Sequence, residues 1–257
     1  MEPLKDWFDL TGQVALVTGA SRGIGRALAL ALASAGAQVA CLATRVENAE
    51  STVTKIRDSG GTALAIGGDV SVEEDVAAAV DATLRTFSRL DILINNAGVL
   101  LGKPFAEISL SEWKRVQDVN VTGMFLCARI ALAEMVRAGR GGRIVNMGST
   151  AGRIAPPRFV DYCTSKAAID GLTRSLATEY ARHGIRVNCI APGYVATDLN
   201  RKPLEDEKIR KAVLSRIPLR RVAMPEELGP LTVLLCSRGG EYITGQTIYV
   251  DGGQVIS

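Results

Sequence analysis

Short apolar runs alternate with longer stretches of helical periodicity from one end of the chain to the other, and this alternation limits the fold more than any other feature. Runs at 14–17, 39–43, 63–66, 92–94, 144–147, 185–190 and 247–250 are brief, continuous and rich in Val, Ile, Leu and Ala, as buried strands are. Between them, 24–35, 47–59, 72–87, 109–137, 161–183 and 199–217 carry helical patterns, and Pro225 reads as the first residue of a last helix reaching Cys236. Punctuation agrees: Gly36, Gly60-Gly61, Gly139 and Gly184 close helices, and Ser71 reads as an N-cap. The alternation predicts an α/β fold, a doubly wound parallel sheet of about seven strands with helices on both faces. Connections are short and no linker, repeat or low-complexity tract interrupts them, so 1–257 reads as a single domain.

Several function classes lack support. The net charge of +3, without a Lys/Arg run interleaved with aromatics, argues against nucleic acid as a partner. Residues 1–11 carry Glu2, Asp6 and Asp9 in place of an apolar core, so no signal peptide is expected, and no unbroken run of about 18 apolar residues suggests a membrane span. The five cysteines are scattered and never spaced CxxC, which suggests no disulfide framework and no metal site; a reducing, cytoplasmic location fits. The sole histidine, His183, stands at a helix end before Gly184, where capping is the expected role, so a Ser/His/Asp hydrolase finds no support.

Thr18-Gly19-Ala20-Ser21-Arg22-Gly23-Ile24-Gly25 joins the first strand to the first helix. Gly19 permits a tight turn, Gly23 lets the backbone approach a pyrophosphate, and Gly25 lets helix and strand pack closely; the helix N-terminus adds unpaired N–H groups and partial positive charge. The fold class is therefore read as Rossmann-type, with Gly19, Ser21, Arg22, Gly23, Ile24 and Gly25 expected at a dinucleotide.

The spacing is GxxxGxG, and with it the chain resembles the short-chain dehydrogenase/reductase family, whose motif is TGxxxGxG. The resemblance continues through Asn95-Asn96-Ala97-Gly98 (the family's NNAG), Asn120 in the long helix, Ser149 with Tyr162-x-x-x-Lys166, and Pro192-Gly193. It implies a nicotinamide cofactor contacted also by Asp69, Val70, Asn96, Ala97, Gly98, Tyr162, Lys166, Pro192, Gly193, Val195 and Thr197. It divides the domain into a cofactor-binding and catalytic core, 13–190, and a substrate lid, 191–221. NAD users of the family carry an acid at the end of the second strand. Here that strand ends Leu42-Ala43-Thr44-Arg45, so Arg22, Thr44 and Arg45 are expected at a 2′-phosphate, and the expected cofactor is NADP(H).

Tyr162 and Lys166, four apart on a helix, share a face. A nearby ammonium and an oxidised nicotinamide both favour a phenolate, which suits Tyr162 to proton transfer at a carbonyl or alcohol oxygen. Ser149 is expected to hydrogen-bond that oxygen. By resemblance, Asn120 holds a water connecting Lys166 to solvent. The expected activity is reversible hydride transfer between NADP(H) and a carbonyl or secondary alcohol.

For the substrate, 13–26, 143–149 and 242–253 resemble the 3-oxoacyl-[acyl-carrier-protein] reductases, which implies a 3-oxoacyl thioester and an acyl carrier protein as partner. Arg140 stands where one docking arginine of those enzymes lies, and His183 where the second does. The alternative is a sugar-acid (gluconate-type) or other ketone/alcohol dehydrogenase, which 8–12 and 191–194 resemble; an inert NADP-binding sensor is a remote one. An apolar pocket of Val99, Leu100, Leu101, Ile154, Pro156, Phe159 and Tyr194 is expected, under a lid with an excess of Lys and Arg. The Ala- and Leu-rich faces of the helices at 109–137 and 161–183 and the resemblance imply a homotetramer.

Overall fold

The computed structural model describes residues 3–197 and 205–257. Seven strands, β1 (Val14–Thr18), β2 (Gln38–Ala43), β3 (Ala63–Gly67), β4 (Ile92–Asn95), β5 (Gly142–Met147), β6 (Ile185–Pro192) and β7 (Thr247–Val250), form one sheet in the order β3-β2-β1-β4-β5-β6-β7. Every pairing is parallel. This is the doubly wound sheet that the alternation predicts. Its two-residue period is visible along β1, where Ala15 and Val17 enter one apolar cluster and Leu16 the other. The first cluster receives α1 (Gly23–Ser34) and α2 (Val46–Asp58), through Leu28, Leu32, Val53 and Ile56. The second receives α3 (Glu73–Phe87) through Val76 and Val80. The chain leaves β1 toward β2 and β3, then returns to β4 on β1's other side, so the carboxyl ends of β1 and β4 flank a crevice.

Several boundaries differ from the expected ones. The stretch at 109–137 is two α-helices, α4 (Leu110–Gln117) and α5 (Gly123–Ala138), joined by a π turn at Asp118–Thr122. Gly123 suits the join, since a Cβ there would stand 2.8 Å from Val70 Cγ2. By length and composition Leu110–Ala138 is long and apolar enough to cross a bilayer, although no unbroken apolar run marks it; half of its most apolar 18 residues are buried, and α5 packs on α3, β4 and β5. Ser71 is not a cap. Its hydroxyl and N–H both donate to Asp69 Oδ1, at 2.7 and 2.9 Å, and Val72 holds the N-cap position of α3 without a side-chain bond. Helix α6 (Val160–Tyr180) ends in a 3-10 turn through His183, whose Nε2 accepts from Arg182 Nε at 3.2 Å. Of 199–217, residues 199–204 lie outside the described residues, Arg201 and Lys202 among them; α7 spans Glu207–Ser215. Pro225 opens a 3-10 turn, and α8 follows at Gly229–Cys236.

One buried cation fastens the C-terminal half. Arg186 of β6 is 8% exposed. Its guanidinium donates to the carbonyls of Leu235 (2.8 Å), Gly240 (2.7 Å) and Ser237 (3.0 Å). These carbonyls end α8 and the turn after it, where helical partners run out. Burial draws the guanidinium down to about 10. Arg186→Lys should not rescue this clamp, because one ammonium cannot reproduce the planar fork. Either Arg186→Lys or Arg186→Met is expected to destabilise by about 2–4 kcal/mol, from orphaned carbonyls. Urea unfolding followed by circular dichroism measures it, and a loss below about 0.5 kcal/mol would show that the fork is dispensable.

Candidate active site

The glycine loop between β1 and α1 is built by close approach. Gly19 and Gly23 have φ of +65° and +54°, which a side chain would strain. A Cβ on Gly25 would stand 2.2 Å from the Gly19 carbonyl oxygen. Asn96 locks the loop to the end of β4: its Nδ2 donates to Thr18 O (2.9 Å) and Gly19 O (3.2 Å). The Thr18 hydroxyl accepts from the N–H groups of Asn96 (2.9 Å) and Ala97 (3.0 Å). Sequence reasoning did not assign Thr18, although it opens the motif.

A cavity of about 720 Å³ lies over this loop, in the crevice where the strand order reverses. Of the expected cofactor residues, Gly19, Ser21, Arg22, Gly23, Ile24, Gly25, Thr44, Asp69, Val70, Asn96, Ala97, Gly98 and Thr197 line it. Arg45 does not. It occupies the N-cap position of α2 and is exposed, while Glu47, Asn48 and Ser51 of α2 enter the lining. Arg26 fixes the loop from below, donating to Ser21 O, Ser51 Oγ and Thr52 Oγ1. Arg115 of α4, unassigned in the sequence, also lines the cavity.

A smaller cavity of about 170 Å³ continues toward the catalytic candidates. Asn96, Gly98, Ser149, Tyr162, Lys166, Pro192, Gly193, Val195 and Thr197 share its wall. Lys166 is 6% exposed, and its Nζ donates to Met147 O at 2.7 Å. The same Nζ lies 5.6 Å from the centre of the Tyr162 ring. Burial draws the ammonium down to about 8. Burial also pushes the Tyr162 phenol up, and a hydrogen bond with Ser149 opposes this. Ser149 Oγ accepts from Ala151 N–H at 3.1 Å.

Asn120 sits in the π turn, fully buried. Its amide is committed to protein: Oδ1 accepts from Val99 N–H (2.8 Å), and Nδ2 donates to Val99 O (2.8 Å) and Ser165 Oγ (3.0 Å). Asn120 therefore pins the strip after the NNAG turn, and a water held at this position would meet backbone, not the amide. A buried relay that the sequence did not disclose stands behind the site: Asn95 Nδ2 donates to Asn146 Oδ1 (3.0 Å) and Asn146 Nδ2 to Thr173 Oγ1 (2.9 Å).

Beyond Ser149 and Tyr162 opens a third cavity, of about 320 Å³. Leu100, Ile154, Pro156, Phe159 and Tyr194 line it as expected, but Val99 faces the cofactor side and Leu101 lines none of these three cavities. Thr150, Arg216 and Gln254 add polar groups to the wall.

Comparison with known proteins agrees with this arrangement. A family model described as enoyl-(acyl carrier protein) reductase, of the short-chain dehydrogenase type, matches residues 19–254. The chain is 42% identical to a 3-oxoacyl-[acyl-carrier-protein] reductase of Synechocystis, over 96% of this chain and 98% of that one. It is 40% identical to 3beta-hydroxysteroid dehydrogenase 1 of Eggerthella lenta, over 96% and 95%. The crystal structure of a gluconate 5-dehydrogenase from Burkholderia cenocepacia, in complex with NADP and tartrate, superposes with a TM-score of 0.95 at 34% identity, covering 99% of this chain and 100% of that one. The chain belongs to the short-chain dehydrogenase/reductase family. It is a nicotinamide-dependent oxidoreductase acting on CH–OH groups.

The buried Lys166 makes a stability prediction. Its folded value, about 8, lies below the ordinary lysine value of 10.5. Between these two pH values the unfolded chain holds a proton that the folded chain has released, so this group's contribution rises with pH across the window and is least favourable below it. Wild type should gain on Lys166→Met by about 2–6 °C in Tm between pH 8 and pH 10. Calorimetry of both proteins at several pH values measures the difference; a gap that stays constant or moves the other way would contradict a buried ammonium.

Proposed function

We propose that this chain interconverts a ketone and a secondary alcohol using NADP(H). The observation that carries the reading is the continuous wall in which Ser149, Tyr162 and Lys166 adjoin the glycine-loop cavity at the carboxyl ends of β1 and β4. The cavity suits a dinucleotide, since its loop has left-handed glycines and a close-packed helix N-terminus where side chains would fill the space. Gly19, Ser21, Arg22, Gly23, Ile24 and Gly25 would hold the pyrophosphate half, Asp69 and Val70 the adenine, and Asn96, Ala97, Gly98, Pro192, Gly193, Val195 and Thr197 the nicotinamide half. A bound nicotinamide would supply or accept the hydride.

Tyr162 is the acid in reduction and the base in oxidation: its hydroxyl gives a proton to the carbonyl oxygen or takes one from the alcohol. Ser149 donates to the same oxygen as negative charge develops there. The Lys166 ammonium, held by Met147 O, favours the phenolate and would hold the ribose hydroxyls of a bound nicotinamide nucleotide. Asn120 keeps Val99 in place and so shapes the passage between the cavities. NADP is supported by the neutral end of β2 at Thr44 and by Arg22 in the cavity wall. The 13–190 core and the 191–221 lid divide these duties.

For the substrate, the Synechocystis relative and the apolar residues of the third cavity support a 3-oxoacyl thioester, with an acyl carrier protein approaching exposed Arg140. A sugar acid is the second reading, favoured by the Burkholderia neighbour and by Arg216 and Gln254 in the wall. We further propose a homotetramer, supported by apolar side chains that the two long helices leave in solvent, Phe125 of α5 and Ala167 and Ala168 of α6.

Tyr162→Phe should lower kcat by about 100-fold or more while NADPH binding, read by fluorescence, stays within about twofold. A Phe variant with most of its turnover would refute the acid/base role. NADPH should exceed NADH in kcat/KM, and Thr44→Asp should reverse the order by placing a carboxylate at the end of β2. Equal use of the two cofactors by wild type would remove the NADP assignment. Sedimentation should give four chains per particle, and Phe125→Asp should reduce that number; a wild-type monomer at micromolar concentration would dispose of the tetramer.

A further inference from the structure

Among the described residues, the third cavity has one formally charged side chain in its wall, Arg216, and no carboxylate. Three arginines follow α7 closely, and two have structural work. Arg220 donates to the carbonyls of Leu214 (3.3 Å) and Ser215 (2.9 Å), and Arg221 pairs with Glu227 through both guanidinium ends, at 2.7 and 2.6 Å. The Arg216 guanidinium, exposed at the cavity, makes no hydrogen bond or ion pair with any described residue; its backbone N–H donates to Val213 O at 3.1 Å and its carbonyl accepts from Ser257 Oγ at 3.2 Å. A fork of donors therefore stands at the cavity with nothing from the described chain to neutralise it.

A second group points to the same ligand. Gln254 is 7% exposed, and its side chain lines the cavity. Thr150 Oγ1 reaches Gln254 Oε1 at 3.5 Å, and the amide Nε2 has no partner among the described residues. Turning the amide exchanges its two ends without changing the count: one polar atom meets Thr150 and the other is left for the cavity. The residue is not free to swing away. Asp251 accepts from the N–H groups of Gly253 (2.9 Å) and Val255 (2.8 Å) on either side of it, and Gly193 packs against it so closely that a Cβ there would stand 2.9 Å from Oε1. The amide is therefore held at the cavity wall, where its free end can meet a ligand oxygen.

We propose that Arg216 and Gln254 form a second anchor in the substrate cavity, which takes a carboxylate and a neighbouring hydroxyl oxygen, and so selects the second of the two substrate readings, a small hydroxylated oxo acid, over the thioester. The proposal rests on the reading that Ser149 and Tyr162 hold the reacting oxygen. Charge-assisted pairing with a planar guanidinium suits a carboxylate, and the amide suits a hydroxyl beside it. A 3-oxoacyl thioester offers two neutral carbonyls near the reacting carbon, and its phosphate stands at the far end of the pantetheine arm.

The test measures kcat and KM of the full chain with NADPH and with NADH on three kinds of probe. These are 2- and 5-ketogluconate, the matching ketohexoses with hydroxymethyl in place of carboxylate, and acetoacetyl-CoA. Wild type should favour a keto acid over its ketohexose by about tenfold or more in kcat/KM. Arg216→Ala should raise KM for the acid by about that factor and leave the ketohexose within about twofold. Added salt should raise KM for the acid in wild type and have little effect in the variant. Binding is read separately, as the Tm shift each probe gives to the cofactor-bound protein, so an inactive probe still gives an answer. A preference for acetoacetyl-CoA or a ketohexose, equal effects of Arg216→Ala on every probe, or no Tm shift from either acid would each overturn the anchor. Tyr162→Phe is assayed beside them: turnover retained there brings down the catalytic reading itself, whereas loss of turnover there with an indifferent Arg216 brings down only the anchor.

Discussion

The cofactor cavity depends on a place where no side chain fits. At Gly25 the first turn of α1 is pressed onto the Gly19 carbonyl, with 2.2 Å to where a Cβ would be, and 2.5 Å to the Asn96 amide. That contact brings the helix N-terminus to the mouth of the crevice, and the Asn96 and Thr18 hydrogen bonds then tie the ends of β1 and β4 into one rigid rim. The NNAG turn leads directly into Val99, whose backbone Asn120 grips on both sides. The floor of the active site is thus assembled outward from one interatomic contact between two glycines, through side-chain amides that leave few polar groups unpaired.

Most of the fold was legible because it is written in periodicity. The strands inside the sheet are buried on both faces, so they appear as continuous apolar runs, and each covering helix alternates at 3.6 residues. The glycine loop was legible for a different reason: only glycine serves at a left-handed φ or beneath a carbonyl, so spacing alone marks the turn. Tyr162 and Lys166 were paired correctly as neighbours because four residues are about one helical turn.

What the sequence did not disclose lies in directions and environments. A residue at the end of β2 can point into the cavity or away from it, and a one-residue offset separates Thr44, which lines it, from Arg45, which does not. Arg186 looks like any polar residue on a strand; its partners are carbonyls some 50 positions away, and backbone acceptors leave no trace in composition. The π turn at Asp118–Thr122 breaks a pattern that reads as one helix. The state of Tyr162 depends on how completely the cavity wall excludes water, and no spacing rule contains that quantity.

The rim of the cavity separates into two kinds of position. Gly19, Gly25, Thr18 and Asn96 are held by contacts that admit no alternative, and an altered side chain at any of them disturbs the sheet itself. Arg22 and Thr44 stand beside them, exposed; Arg22 has no side-chain cap bond, and Thr44 takes only a long hydrogen bond from Asn48, at 3.3 Å. Drift at these two sites leaves the scaffold undisturbed. On such a rim, side-chain charge at Arg22 and Thr44 can change over evolutionary time without moving the backbone that frames the crevice.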